Sequence, residues 1–215
     1  MNPDYIIKRF REDTANHSME VLHDDGIYRH LKFSNKGSQV YRFDLITWPG
    51  WLTICGDMGT TVFSRLPDMF EFFRSFDDGI GINPGYWAEK VQSNGDKGIK
   101  EFSKTKFREA IDYHVEMWAE AAGKEHGKQL KQLREEFEDQ LLHSESSYEA
   151  HNSVYHFVSD VEGFDFQDFF EHDLTDYTFH YIWQLYAIVW GIKTYDAHRE
   201  EMMQGVISAA GVDAE

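Results

Sequence analysis

Cysteine is almost missing from this sequence: Cys55 is the only one among 215 residues. One thiol excludes an internal disulfide, and it also excludes a metal centre held by several thiolates. A reducing compartment is the simplest setting for such a chain, so we expect it to work in a cytoplasm.

Long apolar runs are missing as well. The longest one, residues 181–192, contains Gln184, and it falls well short of the roughly 20 apolar residues that cross a bilayer. The first residues show no basic stretch followed by an apolar one, so no signal peptide is predicted. We therefore expect a protein that has no membrane as its partner.

Motifs of known catalytic sites are also absent. The sequence has no Walker loop, no dinucleotide fingerprint, no His-Glu-x-x-His pair and no Gly-x-Ser-x-Gly elbow. A di-iron helical bundle needs two Glu-x-x-His motifs, and only Glu20 with His23 fits one. The sequence therefore assigns no catalytic residue, no metal ligand and no cofactor, and it favours a protein that is not an enzyme.

Basic residues are scarce in the second half of the chain, where acidic residues dominate. Residues 101–215 hold 24 acidic and 9 basic residues, and thirteen acids against one base fall within residues 134–176. Such a surface would repel nucleic acid and anionic lipid, whereas it would attract a basic protein surface. Eight aromatic residues in the same segment predict folded structure: Phe137, Tyr148, Tyr155, Phe157, Phe164, Phe166, Phe169 and Phe170.

The first part of the chain carries the patterns of an α+β fold. Asn2, Pro3 and Asp4 are typical of a helix start, and an apolar stripe predicts that this helix continues through Met19 and Leu22. Four runs of aromatic and β-branched residues follow, separated by turn sequences. They predict a four-stranded antiparallel meander over residues 28–33, 39–47, 51–55 and 60–65.

Helical patterns dominate the rest of the chain. Apolar spacing predicts one helix with Phe107 and Ile111 on its inner face, and another with Leu133 and Phe137 inside and acids outside. The strongest helical pattern spans residues 176–203. We expect helices to cover the meander and to form a mostly helical, acidic C-terminal region.

The length and the charge distribution predict the domain organisation. We expect one domain over residues 1–215, because this length supports a single core. The charge asymmetry subdivides it into an α+β part, residues 1–100, and a helical acidic part, residues 101–215. The glycine-containing segment 94–98 is the predicted loop between them.

The acidic segment is the first candidate site. Carboxylates spaced over a helical surface imitate a phosphate backbone, so that basic proteins dock on them. The residues expected to contact such a partner are Glu135, Glu138, Asp165 and Asp168. A solvated helix face is the alternative interpretation, because charge alone does not specify a partner.

The turns of the meander are the second candidate site, for a small ligand such as a nucleotide signal. A glycine-flanked turn at Asp57 can form a backbone nest for an anion, and Trp48 with Trp51 can stack on a flat ligand. Arg65 would add positive charge. The structural alternative is that the glycines supply positive φ at a hairpin and that the rings close one end of the sheet.

An acidic metal site is the third candidate. It would draw on Asp57 and on the carboxylates of residues 160–176, since hard cations prefer oxygen ligands. These carboxylates follow no known metal motif, so a metal-dependent enzyme ranks below the other two interpretations.

The central block of the chain also shows a resemblance. It reads YRFDLITWPGWLTICGDMG over residues 41–59 and VFSRLPDMFEFFR over residues 62–74. It resembles a family of phage and prophage proteins that are usually described as hypothetical. The likeness extends to Ile82, Asn83, Tyr86, Trp87, Tyr186, Ala187, Trp190, Gly191 and Ile192.

The resemblance implies a viral or mobile-element origin and work in the cytoplasm of a bacterial host. It brings no catalytic residues with it. Together with the acidic segment, it predicts a phage accessory protein that binds a bacterial protein through an acidic surface and inhibits an antiviral defence system. A small-ligand binder and a metal-dependent enzyme are the alternatives.

Overall fold

Contacts within the computed structural model, which describes residues 3–74, 80–95, 98–122 and 127–209, divide the chain into two units. Unit 1 comprises Met1–Ile99 and Tyr177–Glu215, and unit 2 comprises Lys100–Asp176. In chain order the elements are α1 (Pro3–Thr14), β1 (His17–Asp25), β2 (Tyr28–Asn35), β3 (Phe43–Trp48), β4 (Trp51–Gly56), β5 (Gly59–Ser64), α2 (Met69–Arg74), α3 (Pro84–Ala88), β6 (Val91–Asn94), β7 (Lys100–Phe102), α4 (Lys104–Ala122), α5 (Gly127–Gln140), α6 (Ser147–His156), a 3₁₀ turn (Phe169–Glu171), β8 (Thr175–Tyr177) and α7 (Phe179–Ala209).

An antiparallel sheet of six strands, β1 to β6 in sequence order, is the centre of unit 1. Its strands alternate as half-buried strands do: in β2 the side chains of Leu31 and Phe33 are buried, whereas those of His30 and Lys32 are partly exposed. The α+β class is confirmed. The predicted meander corresponds to β2–β5, and the sheet has one further strand at each edge.

The strand β1 corrects the prediction of a long first helix. The structure ends α1 at Thr14, and Met19 lies in a strand opposite Phe33. A β-bulge between Val21 and His23 shifts the register, so the alternation of two that marks a strand is broken. Asn2, the predicted cap, lies outside the described residues.

Two more strand boundaries differ from the prediction. The helix α3 ends at Ala88, and the chain then forms the edge strand β6, in which Val91 pairs with Phe63; the predicted meander of four strands ended at residue 65. The second predicted strand, residues 39–47, begins in the structure at Phe43, four residues later than predicted. The reason is Tyr41, which has a φ of 57°. This left-handed conformation is incompatible with an extended strand.

The helix α7 closes the core of unit 1. Its residues 181–189 are buried all round, and it contacts α1, α2 and the sheet. Gly191 allows this approach, since a Cβ at that position would lie 2.8 Å from Cδ1 of Leu45 and 3.1 Å from Cζ of Phe33. The predicted subdivision placed residues 177–215 with the acidic part, whereas the structure places them in unit 1.

Aromatic contacts order this core. The rings of Phe33 and Phe43 stack with their centroids 4.7 Å apart. The indole of Trp183 meets Phe10 and Phe43 edge-on and donates a hydrogen bond from Nε1 to Asp13 at 3.1 Å. A buried indole that has a polar partner combines apolar burial with a satisfied donor.

Unit 2 has its own apolar core, formed by α4, α5, α6 and the segment that follows α6. Phe107 and Ile111 of α4 and Leu133 and Phe137 of α5 are buried, as their spacing predicted. Strands β7 and β8 pair where the chain enters and leaves this unit. None of the helices described here combines the length and the apolar character that a membrane crossing needs.

Candidate functional site

The two predicted partner-binding acids of α5 lie on its exposed side. Glu135 forms an ion pair with Lys131, with 3.5 Å between Oε1 and Nζ, and Glu138 pairs with Arg108 at 3.2 Å. Both pairs are open to solvent, so each contributes little to stability. They do reduce the local excess of negative charge at this face.

The other two predicted acids, Asp165 and Asp168, lie in the segment after α6. Both side chains are exposed, and no lysine or arginine pairs with them in the part of the chain that the structure describes. Asp168 has a φ of 53° and precedes the 3₁₀ turn Phe169–Glu171. The four predicted acids therefore form two pairs, which line different depressions of unit 2.

Asp165 and Asp168 border a groove of about 510 Å³, which we call the α6 groove. Its lining consists of Tyr148, His151, Asn152, Val154, Tyr155, Phe157, Asp165, Phe166, Asp168, Phe169 and Phe170. Three of its rings are unusually open to solvent: Tyr148 and Tyr155 are each 80% exposed, and Phe170 is 73% exposed. The groove thus combines aromatic surface with unpaired carboxylates.

The helix α6 presents these tyrosines because its opposite face is held in the core. Ala150 and Val154, four residues apart, are buried. Tyr148 and Tyr155 are seven residues apart and share the other side of the helix. Ser146 caps the helix by accepting a hydrogen bond from the backbone N–H of Glu149 at 3.2 Å, which fixes where the helix begins.

His151 stands between the two tyrosines on this helix. Its Nδ1 lies 2.8 Å from the carbonyl oxygen of Ser147, so Nδ1 must donate. Its Nε2 is buried and has no hydrogen-bond partner among the described residues. In the neutral ring, Nε2 is a lone-pair acceptor.

Two further histidines pack beneath the groove. Nε2 of His114 lies 3.1 Å from Nε2 of His172, and both rings are near Phe169, with centroids 5.4 Å and 5.3 Å away. Burial lowers the pKa of His114, and the neighbouring His172 lowers it further. The hydrogen bond between the two rings requires at least one of them to be neutral.

The predicted ligand-binding residues do not converge on one site. Trp48 and Trp51 lie beside the β3–β4 turn with their rings nearly parallel and the centroids 6.0 Å apart. Arg65 follows Ser64, which pairs with Trp51. Asp57 lies in the β4–β5 turn, at the other end of β4. Since a strand rises about 3.3 Å per residue, the length of β4 separates Asp57 from the two indoles.

Asp57 is hydrogen-bonded to the backbone of unit 1, through both its side chain and its own N–H. Its Oδ2 accepts a hydrogen bond from the backbone N–H of Tyr41 at 2.7 Å, and its own N–H donates to the carbonyl of Arg42 at 2.9 Å. A small cleft of about 210 Å³ opens beside it. The amide of Gln184 in this cleft is already bonded to Thr61 and to the carbonyl of Met58.

Neither a nucleophile nor a metal site emerges from the described residues. Burial raises the pKa of the Cys55 thiol, and Asp44 raises it further, so the reactive thiolate is disfavoured. No three histidine, cysteine, aspartate or glutamate side chains in the described ranges are grouped so that they could hold a metal ion. Asp57 belongs to unit 1, whereas the carboxylates of residues 160–176 belong to unit 2.

Sequence reasoning did not identify the α6 groove as a site. The spacing of Tyr148 and Tyr155 was the signal that could have revealed it, because Ala150 and Val154 already define the buried face of the same helix. Comparisons of the chain with protein-family models, with curated proteins and with solved structures return no match.

Proposed function

We propose that this chain acts by binding rather than by catalysis, with unit 2 docking on a basic surface of a bacterial protein. The resemblance to phage proteins makes a component of an antiviral defence system the partner class that we favour, and inhibition the outcome. One observation carries the proposal: exposed aromatic rings lie together in the α6 groove with carboxylates that no lysine or arginine of the described residues pairs with.

The charge of unit 2 supports the first step of binding, which is the approach of a basic partner from solution. Unit 2 contains 19 acidic residues against 8 lysines and arginines. Lys100, Lys104, Arg108 and Lys131 are among the bases that pair with a carboxylate. Even if each of the eight bases paired with one acid, eleven of the 19 acids would remain. A field of this sign steers a basic partner towards unit 2 and raises the association rate, most strongly at low salt.

The exposed rings support the second step. Tyrosine and phenylalanine are enriched in the parts of protein interfaces from which affinity derives. Tyr148, Tyr155 and Phe170 would bury much of their area on a partner, and the carboxylates beside them would set its charge. A solvated helix face explains the acids but not these rings.

A pull-down from bacterial lysate, with captured proteins identified by mass spectrometry, tests the proposal. The comparison uses wild type, a variant with Glu135, Glu138, Asp165 and Asp168 all changed to lysine, and a control with Asp25, Glu71, Glu200 and Glu201 all changed to lysine. The control makes the same change of formal charge at exposed positions of unit 1. Because salt screens exposed charges, we expect one partner to be enriched at about 0.05 M salt and lost at about 0.5 M.

The partner should be lost with the unit 2 variant and kept with the unit 1 control. Equal loss with both variants would show that net charge, not unit 2, determines binding. Full activity of the unit 2 variant in an infection assay would show that the acidic surface has no part in the function.

Ligand binding at the Trp48 end of the sheet is the second candidate function. The stacked indoles of Trp48 and Trp51 are its supporting observation, because a flat ligand can extend such a stack. A thermal-shift screen with nucleotides and cyclic nucleotides tests it, since a ligand that binds only the folded state must raise Tm. A shift that disappears in Trp48→Ala would support this function, and no shift at about 1 mM ligand would remove it.

A further inference from the structure

We infer that the α6 groove receives an arginine side chain of the partner. This inference rests on the proposed docking function and names the chemistry that the groove selects. Its elements are the two carboxylates, the three exposed rings and the imidazole of His151, all within unit 2.

The charge of the groove favours a cation. Asp165 and Asp168 are exposed on its border, and among the described residues no base neutralises them. No lysine or arginine lines the groove. A cationic side chain that enters it would therefore meet negative charge without displacing an internal ion pair.

The charged groups of the groove accept hydrogen bonds only, whereas Asn152 and the hydroxyls of Tyr148 and Tyr155 can donate or accept. The two carboxylates are exposed and accept only. Nε2 of His151 has no hydrogen-bond partner among the described residues but is itself buried, so a ligand reaches it only if the ring or its neighbours move. A ligand that carries donors alone fits this arrangement. Arginine presents five N–H donors and no acceptor.

The rings favour guanidinium over ammonium. A planar guanidinium stacks on aromatic faces and can bind a carboxylate through two hydrogen bonds, whereas an ammonium is a compact and strongly hydrated point charge. Tyr148, Tyr155 and Phe170 offer such faces beside Asp165 and Asp168. The volume, about 510 Å³, falls within the usual range of ligand pockets and admits a long side chain with part of its backbone.

Titration of the full chain, labelled with ¹⁵N, tests this inference by NMR. The probes are three peptides that are acetylated and amidated and differ at one central residue of a Gly-Ser context: arginine, lysine or citrulline. Citrulline keeps the shape of arginine but carries no charge. We expect the arginine peptide to shift amide signals of residues 148–157 and 164–170, and to bind at least about tenfold more tightly than the citrulline peptide, because charged hydrogen bonds are lost.

Paired variants locate the site. Asp165→Asn with Asp168→Asn should weaken the arginine peptide by at least about tenfold, while Glu135→Gln with Glu138→Gln, which removes the same charge from α5, should change it by less than about twofold. Tyr155→Ala should weaken binding as well. All these side chains are exposed, and the spectrum of each variant reports its fold directly.

Several outcomes overturn the inference. Affinity for the lysine or the citrulline peptide equal to that for the arginine peptide, signals that shift only on α5, or unchanged binding by the Asp165 and Asp168 variant would each do so. If the lysate partner were still lost with the unit 2 variant, docking would stand and only the arginine pocket would fail. Peptide binding in the α6 groove without any captured partner would leave the pocket and remove the bacterial partner.

Discussion

The two units differ in how they place their aromatic side chains. In unit 1 the largest rings, such as Trp183, Phe33 and Phe43, are enclosed between α7 and the sheet. In unit 2 a core of phenylalanines coexists with Tyr148, Tyr155 and Phe170, which face solvent beside carboxylates. Burial in the first unit stabilises the fold, whereas exposure in the second lowers no free energy until a partner covers the rings.

Removal of one aromatic ring from each unit should give the largest difference in the free energy of unfolding. We expect Trp183→Ala to lower the free energy of unfolding by about 3–5 kcal/mol, because it leaves a cavity and removes the hydrogen bond to Asp13. Tyr155→Ala should change it by less than about 0.5 kcal/mol, since its side chain is already solvated. Urea unfolding followed by circular dichroism measures both, and a large loss for Tyr155→Ala would contradict the assignment of that ring to binding.

Substitution of two glycines in α7, Gly191 and Gly205, should give a smaller difference in stability. Gly191→Ala should destabilise by about 1–2 kcal/mol, because overpacking against Leu45 and Phe33 exceeds the gain from replacing a helical glycine. A Cβ added to Gly205 would meet no atom within 4 Å, so Gly205→Ala should be neutral or stabilising. Thermal unfolding of the two variants measures the difference; equal effects would mean that α7 does not approach the sheet this closely.

The pH dependence of the free energy of unfolding should give the smallest effect, because few titratable groups of the described residues have a shifted pKa. Burial and His172 lower the pKa of His114 in unit 2 below its ordinary value of 6.5. Below that pH the unfolded chain binds a proton that the folded chain does not, so stability falls as the pH decreases through this range.

In unit 1 one carboxyl group with a lowered pKa is that of Asp68. Burial raises the pKa of Asp68, but hydrogen bonds from Arg29 outweigh burial, and the pKa lies below its ordinary 3.8. The stability that this ion pair contributes is present above 3.8 and is lost as the pH falls through the folded pKa.

Melting temperatures from pH 7.5 to pH 5 cover the range in which His114 of unit 2 lowers stability, and in which His17 of unit 1, whose pKa burial also lowers, acts with the same sign. His114→Phe, which keeps the aromatic packing, should reduce the loss of Tm over this range relative to wild type. His156→Gln, at an exposed position, should not change that loss. An unchanged pH profile in His114→Phe would mean that the buried pair does not control the acid sensitivity of unit 2.

Local patterns predicted much of the fold, because they depend on near neighbours. The alternation in β2–β5 and the apolar spacing of Phe107 and Leu133 are set by the pleat and by the helical turn. The strand β1 was missed because its bulge interrupts that alternation. The place of α7 in unit 1 depends on contacts across more than a hundred residues, such as Gly191 on Leu45, which no local pattern contains.

Prediction of the candidate sites had the same limit, because local patterns do not contain contacts between distant residues. The distance between Trp51 and Asp57 could be anticipated from the six residues of β4, which place them at opposite ends of the strand. The pairing of Asp165 and Asp168 with the tyrosines of α6 could not, because it depends on how the segment after α6 packs. Composition identified the acids and the rings, and tertiary structure alone brought them together.

The short strands β7 and β8 bring together the points at which the chain leaves unit 1 and returns to it. Unit 2 is therefore an insertion with adjacent ends, placed between β6 and α7. An insertion of this kind can diversify under selection, residue by residue or as an entire cassette, while the sheet and the final helix keep their sequence.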